Sequence, residues 1–179
     1  MANNPDHEHP HICTVCAMCC NGALYDEVPT QEGERPSLAA LGFELHASGE
    51  DEVFNQPCRM LVDRCCTVYA TRPQRCRAFR CVLLEAHEEG RVTREEALER
   101  IGTARQLLDA VLTQLPAGQS ITQARAHWKD QAEARGDPEA MRTQGPQLML
   151  AWVMLNRFLD RHFRRDHQRM MQVSAPDRK

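Results

Sequence analysis

The sequence predicts a mainly α protein in two unlike parts: a cysteine-rich N-terminal half with irregular loops, and a C-terminal layer of about three helices. Three observations predict it. All nine cysteines fall between Cys13 and Cys81, and the following 98 residues hold none. From Thr93 onward, apolar residues recur at helical spacing behind two capping boxes. Between the two cysteine runs, polar stretches rich in Glu and Gly break the chain into loops. The chain accordingly divides into a flexible N-terminus (1–12), a cysteine-cluster region (13–92), a helical region packed on it (93–168) and a tail (169–179).

The elements follow in order. His7-Glu8-His9-Pro10-His11 precedes the first cysteine and could lend a ligand, but the mobility of chain ends favours a disordered start. The N-terminus has no basic run and no apolar core of a signal peptide, which favours a reducing cytoplasm. Cys13-x-x-Cys16-x-x-Cys19-Cys20 opens the cysteine region. Gln31 to Pro36 and Ala47 to Glu52 read as exposed loops; Leu38, Leu41, Phe43 and Leu45 between them suit a short strand or helix lying on the cysteines. Cys58, Cys65, Cys66, Cys76 and Cys81 make the second run, with a turn at Arg72-Pro73, because the residue before proline is pushed out of the helical region. That turn brings Cys76 back toward Cys66. Tyr69 and Phe79 could wall a site from water or serve as plain core.

Thr93 and Glu96 form a capping box for a helix carrying Leu98, Ile101, Ala104, Leu108, Val111, Leu112 and Leu115, stopped by Pro116-Ala117-Gly118. Ser120 and Gln123 open a second helix through Trp128 to about Arg135, ended by Gly136-Asp137-Pro138. A short stretch then runs to Gly145. Pro146 begins the last helix, with Leu148, Ala151, Trp152, Leu155, Leu159 and His162 on one stripe. His127 and His162 read as structural histidines. The tail frays from Val173, and no apolar run reaches the roughly 18 residues of a membrane span.

Clustered thiols need a reason. A disulfide framework fits poorly, since such scaffolds are short and secreted, and an odd count of nine strands one thiol. Metal fits the spacing. Two thiolates two residues apart grip one ion from a tight turn, and three at C-x-x-C-x-x-C wrap a cubane iron–sulfur cluster with a fourth ligand from elsewhere. Cys13, Cys16 and Cys19 supply the three; Cys58, Cys66, Cys76 or Cys81 could supply the fourth. Cys20 is surplus and points away from Cys19 in most backbone conformations. It marks either a second metal position or a thiol packed as an apolar side chain.

Charge points the same way. Between Cys58 and Cys81, Arg59, Arg64, Arg72, Arg75, Arg77 and Arg80 face one acid, Asp63, a charge of +5 in a chain of −3. Guanidinium groups beside thiols favour the thiolate. The same patch could take an anionic small molecule. A pI near 6.2 and few interleaved aromatics argue against nucleic acid.

The two cysteine runs together, with Cys66-Thr67-Val68-Tyr69-x-x-Arg72-Pro73-x-x-Cys76-Arg77-x-Phe79-x-Cys81 as the second, resemble the CxxCxxCC cysteine-cluster family, the YkgJ-like zinc- or iron-chelating domains. The likeness covers about residues 13 to 81. It implies Cys13, Cys16, Cys19, Cys20, Cys58, Cys66, Cys76 and Cys81 as metal ligands and leaves Cys65 spare. Flagellin lysine methylases carry a similar motif with an iron–sulfur cluster, which tilts the cofactor toward iron or a 4Fe-4S cluster, with zinc as the alternative. The family pattern often has Gly where this chain has Ala17-Met18. Three roles stay open: a metal-binding module in redox, metal-handling or accessory work; an iron–sulfur-dependent group-transfer enzyme; and a zinc-stapled domain that meets a partner protein through its C-terminal helices. No phosphate loop, Ser-His-Asp set or paired carboxylates stand out, so no catalytic residue is assigned.

Overall fold

The structure, a computed structural model, describes residues 11–135, 145–168 and 170. Helix predominates, in α1 (Ile12–Cys16), α2 (Arg35–Ala40), α3 (Gln74–Ala78), α4 (Val82–Glu88), α5 (Arg94–Leu112), α6 (Ile121–Arg135) and α7 (Pro146–His162). The mainly α expectation nevertheless holds only in part. Strands β1 (Glu27–Pro29), β2 (Leu45–Ser48) and β3 (Asp51–Asn55) form an antiparallel sheet in the order β1-β3-β2, and β4 (Leu61–Val62) pairs with β5 (Cys65–Cys66) as a hairpin. Strands of two to five residues are too short to show a period-2 pattern in sequence, which is why they read as loops. The stretch from Leu38 to Leu45 is both proposed forms at once, Leu38 in α2 and Leu45 in β2.

The helical layer forms for the reasons its sequence states. Thr93 N–H donates to Glu96 Oε2 at 2.8 Å and Glu96 N–H to Thr93 Oγ1 at 3.2 Å, closing the α5 capping box. Ser120 and Gln123 exchange the same pair of bonds at the start of α6. Ile101, Ala104, Leu108 and Val111 of α5 are buried, while Leu98 faces outward and Ala97 takes the inner position. In α7, Leu148, Trp152, Leu155 and Leu159 are buried, and Trp152 meets Trp128 of α6 edge to face at 4.8 Å. Trp152 is therefore part of the core. Gly136-Asp137-Pro138, the stretch before Gly145, His7, His9 and the tail from Val173 lie outside the described residues.

Two apolar cores result. The larger joins α5, α6 and α7 to α1, α4, Met18, Ala23 and Leu24. The smaller consists of Val28, Leu38, Phe43 and Phe54, between the sheet and α2. Two buried arginines lock the chain after Cys20 onto the helical layer. Arg125 of α6 donates to the carbonyls of Gly22 and Ala23 and pairs with Asp26. Arg164, just past α7, donates to Ala23 O at 2.7 Å and to Asn156 and Asp160 at 2.9 Å each. Gly22 permits this approach: at φ +85°, a Cβ there would lie 2.3 Å from Thr122 Cγ2. No helix among the described residues is long and apolar enough to cross a membrane.

Candidate metal centre

The cysteine segments converge because of three local turns. Helix α1 carries Cys13 and Cys16 one turn apart on one side, and Ala17 ends it in the left-handed conformation at φ 60°. That reversal swings Cys19 and Cys20 back beside Cys16. The β4–β5 hairpin has a two-residue loop, Asp63-Arg64, with both φ angles positive (46° and 67°), the geometry of a type I′ turn. Alternation along β5 then decides between two adjacent thiols: Leu61 and Cys66 are partners on the inner face, Val62 and Cys65 on the outer. Arg72-Pro73 is extended as expected, with ψ 154° and 150°, and opens α3 so that Cys76 returns toward Cys66. Cys81 caps α4, its Sγ accepting from Leu84 N–H at 3.4 Å.

All eight cysteines carried over from the family pattern line one cavity; Cys65 lies outside it and is exposed. The cavity holds about 120 Å³, against roughly 10–15 Å³ for a single water molecule. Tyr25, Tyr69, Phe79, Leu24, Leu84 and Phe163 complete much of its wall. Of the six arginines of the basic window, Arg64, Arg72 and Arg80 reach the cavity. Arg72 stacks on the Tyr69 ring at 3.9 Å and donates to Tyr69 O, and Arg80 pairs with Glu88 at 3.2 Å.

Guanidinium groups lower the thiols they reach, as the sequence suggests, but they do not set the balance. Arg72 and Arg80 do pull the Cys13 thiol down, and Arg72 that of Cys76, but loss of solvent outweighs both. Burial, reinforced by neighbouring thiols, pushes Cys13 up to about 11 and Cys16, Cys20 and Cys76 up to about 12. Cys19, Cys58 and Cys81 shift the same way for the same first reason. Metal-free, Cys13, Cys16, Cys19, Cys20, Cys58, Cys76 and Cys81 therefore keep their protons at neutral pH, and a metal must displace them.

The donor set suits a thiophilic metal. Backbone N–H groups aim at three sulfurs, from Met18 to Cys16, Met60 to Cys58 and Leu84 to Cys81, which favours the thiolate once it forms. Gln56 is buried on the cavity wall with its Oε1 unpartnered, so a polar group already waits there. Among the described residues no three His, Cys, Asp or Glu side chains converge tightly enough to hold an ion as they stand. His11 is no ready ligand. Its Nδ1 accepts from Cys13 N–H at 3.2 Å, which puts the proton of the neutral ring on Nε2.

Tyr25 is the site residue that sequence reasoning missed. Its hydroxyl donates to the Cys19 sulfur, its ring meets Phe79 edge on at 5.1 Å, and it packs against both apolar cores. Its one sequence signal was its position five residues past the Cys-Cys pair, in a chain with only two tyrosines. Arg125 and Arg164 were missed as well, since nothing local marks an arginine as buried.

A fold that gathers eight thiols from one chain around a shared cavity defines a cysteine-cluster domain. The CxxCxxCC family model, described as "Putative zinc- or iron-chelating domain", matches residues 12–101, and the chain belongs to this family. The match takes in α1 through the first turns of α5, so it spans every cavity cysteine. No curated protein and no solved structure matches the chain.

Proposed function

We propose that this protein is a metal-binding module that holds iron, as an iron–sulfur cluster in preference to a lone ion, and serves in a redox, metal-handling or accessory role in the cytoplasm. One observation carries the reading: eight of nine cysteines line one cavity, while the ninth, one residue away from a cavity thiol, points outward. Packing alone gives no reason to gather so many thiols in one place, and each buried thiol becomes a ligand only when a metal takes its proton. The C-x-x-C-x-x-C spacing favours iron, since a short loop with that spacing wraps a cubane cluster. Aromatic walls from Tyr25, Tyr69 and Phe79 would keep water from it.

Anaerobic purification followed by iron, zinc and acid-labile sulfide analysis tests the proposal. The expected product is brown, with iron and sulfide. A colourless product with stoichiometric zinc and no sulfide would replace iron by zinc. A second reading, a zinc-stapled interaction domain, draws on Leu150 and Met154, which stand exposed four residues apart on α7 and would form the partner-facing strip. Metal analysis separates the two readings.

A further inference from the structure

The eight cavity thiols are not one crowd. Cys13, Cys16, Cys19 and Cys81 pack against the larger, helical core, whereas Cys58 and Cys76 pack against the smaller, sheet-side core. Cys20 belongs with the second set: its carbonyl accepts from Cys58 N–H at 2.7 Å. Cys66 joins them through the hairpin, where Thr67 N–H returns to Met60 O at 2.9 Å and Leu61 N–H to Cys58 O at 2.9 Å. Proximity follows the same division. Cys20 stands within electrostatic reach of Cys58, Cys66 and Cys76, and Cys76 of Cys58 and Cys66. Cys81 stands within reach of Cys13, Cys16 and Cys19. Cys20 also stands within electrostatic reach of Cys13, Cys16 and Cys19, so it is a thiol that joins the two sets. Two tyrosines lie between the sets: Tyr25 neighbours Cys19 on one side and Cys20 and Cys76 on the other, and Tyr69 neighbours Cys13 and Cys66.

We propose that the cavity holds two metal centres, each closed by its own four thiolates: Cys13, Cys16, Cys19 and Cys81 for the first, and Cys20, Cys58, Cys66 and Cys76 for the second. The inference rests on the metal-binding reading above and adds its stoichiometry and its ligand partition. Four thiolates are the full complement of a tetrahedral ion or a cubane cluster, so eight divide without remainder. The Cys19-Cys20 pair follows from the division. Adjacent side chains diverge, and here one serves each centre, which fixes the two centres next to each other. The cavity, about ten times the space one water needs, has room for more than one guest. Each centre also owns a sulfur braced by a backbone N–H: Cys16 and Cys81 in the first, Cys58 in the second.

The test titrates zinc into the reduced, metal-free full-length chain and counts protected thiols. Native mass spectrometry gives the zinc bound per molecule, and alkylation gives the thiols left reactive. The expected end point is two zinc ions and eight protected thiols, with four thiols protected per ion and Cys65 always reactive. Cys81→Ser and Cys58→Ser should each retain one zinc, half the wild-type content, and in each the four thiols of the intact set should stay protected. An end point of one zinc would overturn the partition, as would three protected thiols per ion, the sign of shared bridging sulfurs. So would a single serine variant that loses both ions while the alkylation pattern shows it folded. Because the wild-type count needs no variant, a substitution that prevents folding leaves the test decisive. A chain that takes up no zinc here, and carries neither iron nor zinc after anaerobic purification, would instead defeat the metal-binding reading, and this inference with it.

Discussion

The two sets of thiols sit in very different surroundings. The first is held by α1, α4 and the loop through Leu24, which belong to a core of α5, α6 and α7 with Trp128, Trp152, Leu155 and Phe163 at its centre. Its backbone is further gripped by Arg125 and Arg164. The second rests on a core of four buried residues, Val28, Leu38, Phe43 and Phe54, and on a hairpin two residues long on each side. A core that small contributes only a few kcal/mol before conformational entropy is counted. The contrast teaches that one region is built by ordinary packing, whereas the other has little apolar core of its own to order it without a ligand.

The largest effect should come from removing metal. Structural metal binding is folding free energy, on the order of 10 kcal/mol in small domains. Hydrogen exchange on the chelated, reduced protein should show protection lost from Val53 through Cys76 and kept in α5 and α7. Equal loss in both would mean that the small core and the helical layer form a single metal-dependent unit.

Alkaline pH should act next most strongly, and only without metal. Folded Cys13, Cys16, Cys20 and Cys76 keep their protons to about 11–12, while an unperturbed thiol releases its own near 9. Between those values the unfolded chain binds fewer protons than the folded one, so stability falls as pH rises. It is therefore full below pH 9 and lost progressively toward pH 12. Melting curves of the metal-free protein should drop across that window. The metal-loaded protein, whose sulfurs have already given up their protons, should show a smaller drop.

The helical layer was legible in sequence because its signals are local. Caps at Thr93 and Ser120, Pro146 in a first turn and apolar residues at helical spacing each act within a few residues, and each appears in the structure. The sheet was hidden because its longest strand has five residues, and its pairing partners lie far apart, Val28 opposite Phe54. The inward direction of Cys66 and the outward direction of Cys65 follow from the pleat of a hairpin whose Asp63-Arg64 turn carries no Gly to announce it. The direction of the thiol shifts could not be read from sequence at all. The arginines were visible, but the burial that outweighs them depends on residues as distant as Phe163, which lines the same cavity.

Arg164 offers a sharper test of the first region. Its side chain is 1% exposed and Asp160's is 8%, so Arg164→Met leaves a buried carboxylate without its guanidinium. Breaking a buried pair from one side costs about 3–5 kcal/mol. A double variant with Asp160→Asn should recover part of that loss. Because Arg164 also holds Ala23 O, in the segment just after Cys19 and Cys20, zinc binding should weaken in both variants, more in the Cys13 set, which packs on the same core, than in the Cys58 set, which has only Cys20 on this segment. Equal weakening of the two sets would show that the regions do not respond separately.

The smallest effects set the two regions against each other through one backbone feature. Ala17 in the first region and Arg64 in the second are both left-handed, at φ 60° and 67°. For an L-residue that conformation costs about 1–2 kcal/mol, which glycine avoids. Arg64 is largely exposed, its side chain 55% open, so Arg64→Gly should stabilise the hairpin by about 0.5–1 kcal/mol after glycine's own entropy loss. Ala17 is 6% exposed, and its methyl group is part of the buried surface. Removing that methyl forfeits about 0.8 kcal/mol, and glycine's entropy takes about 0.5–1 more. Ala17→Gly should therefore leave stability within about 0.5 kcal/mol of the parent. Chemical denaturation of both variants decides the point. A gain from Ala17→Gly equal to that from Arg64→Gly would mean that the buried methyl contributes nothing, and that the turn between Cys16 and Cys19 is no better packed than the exposed hairpin.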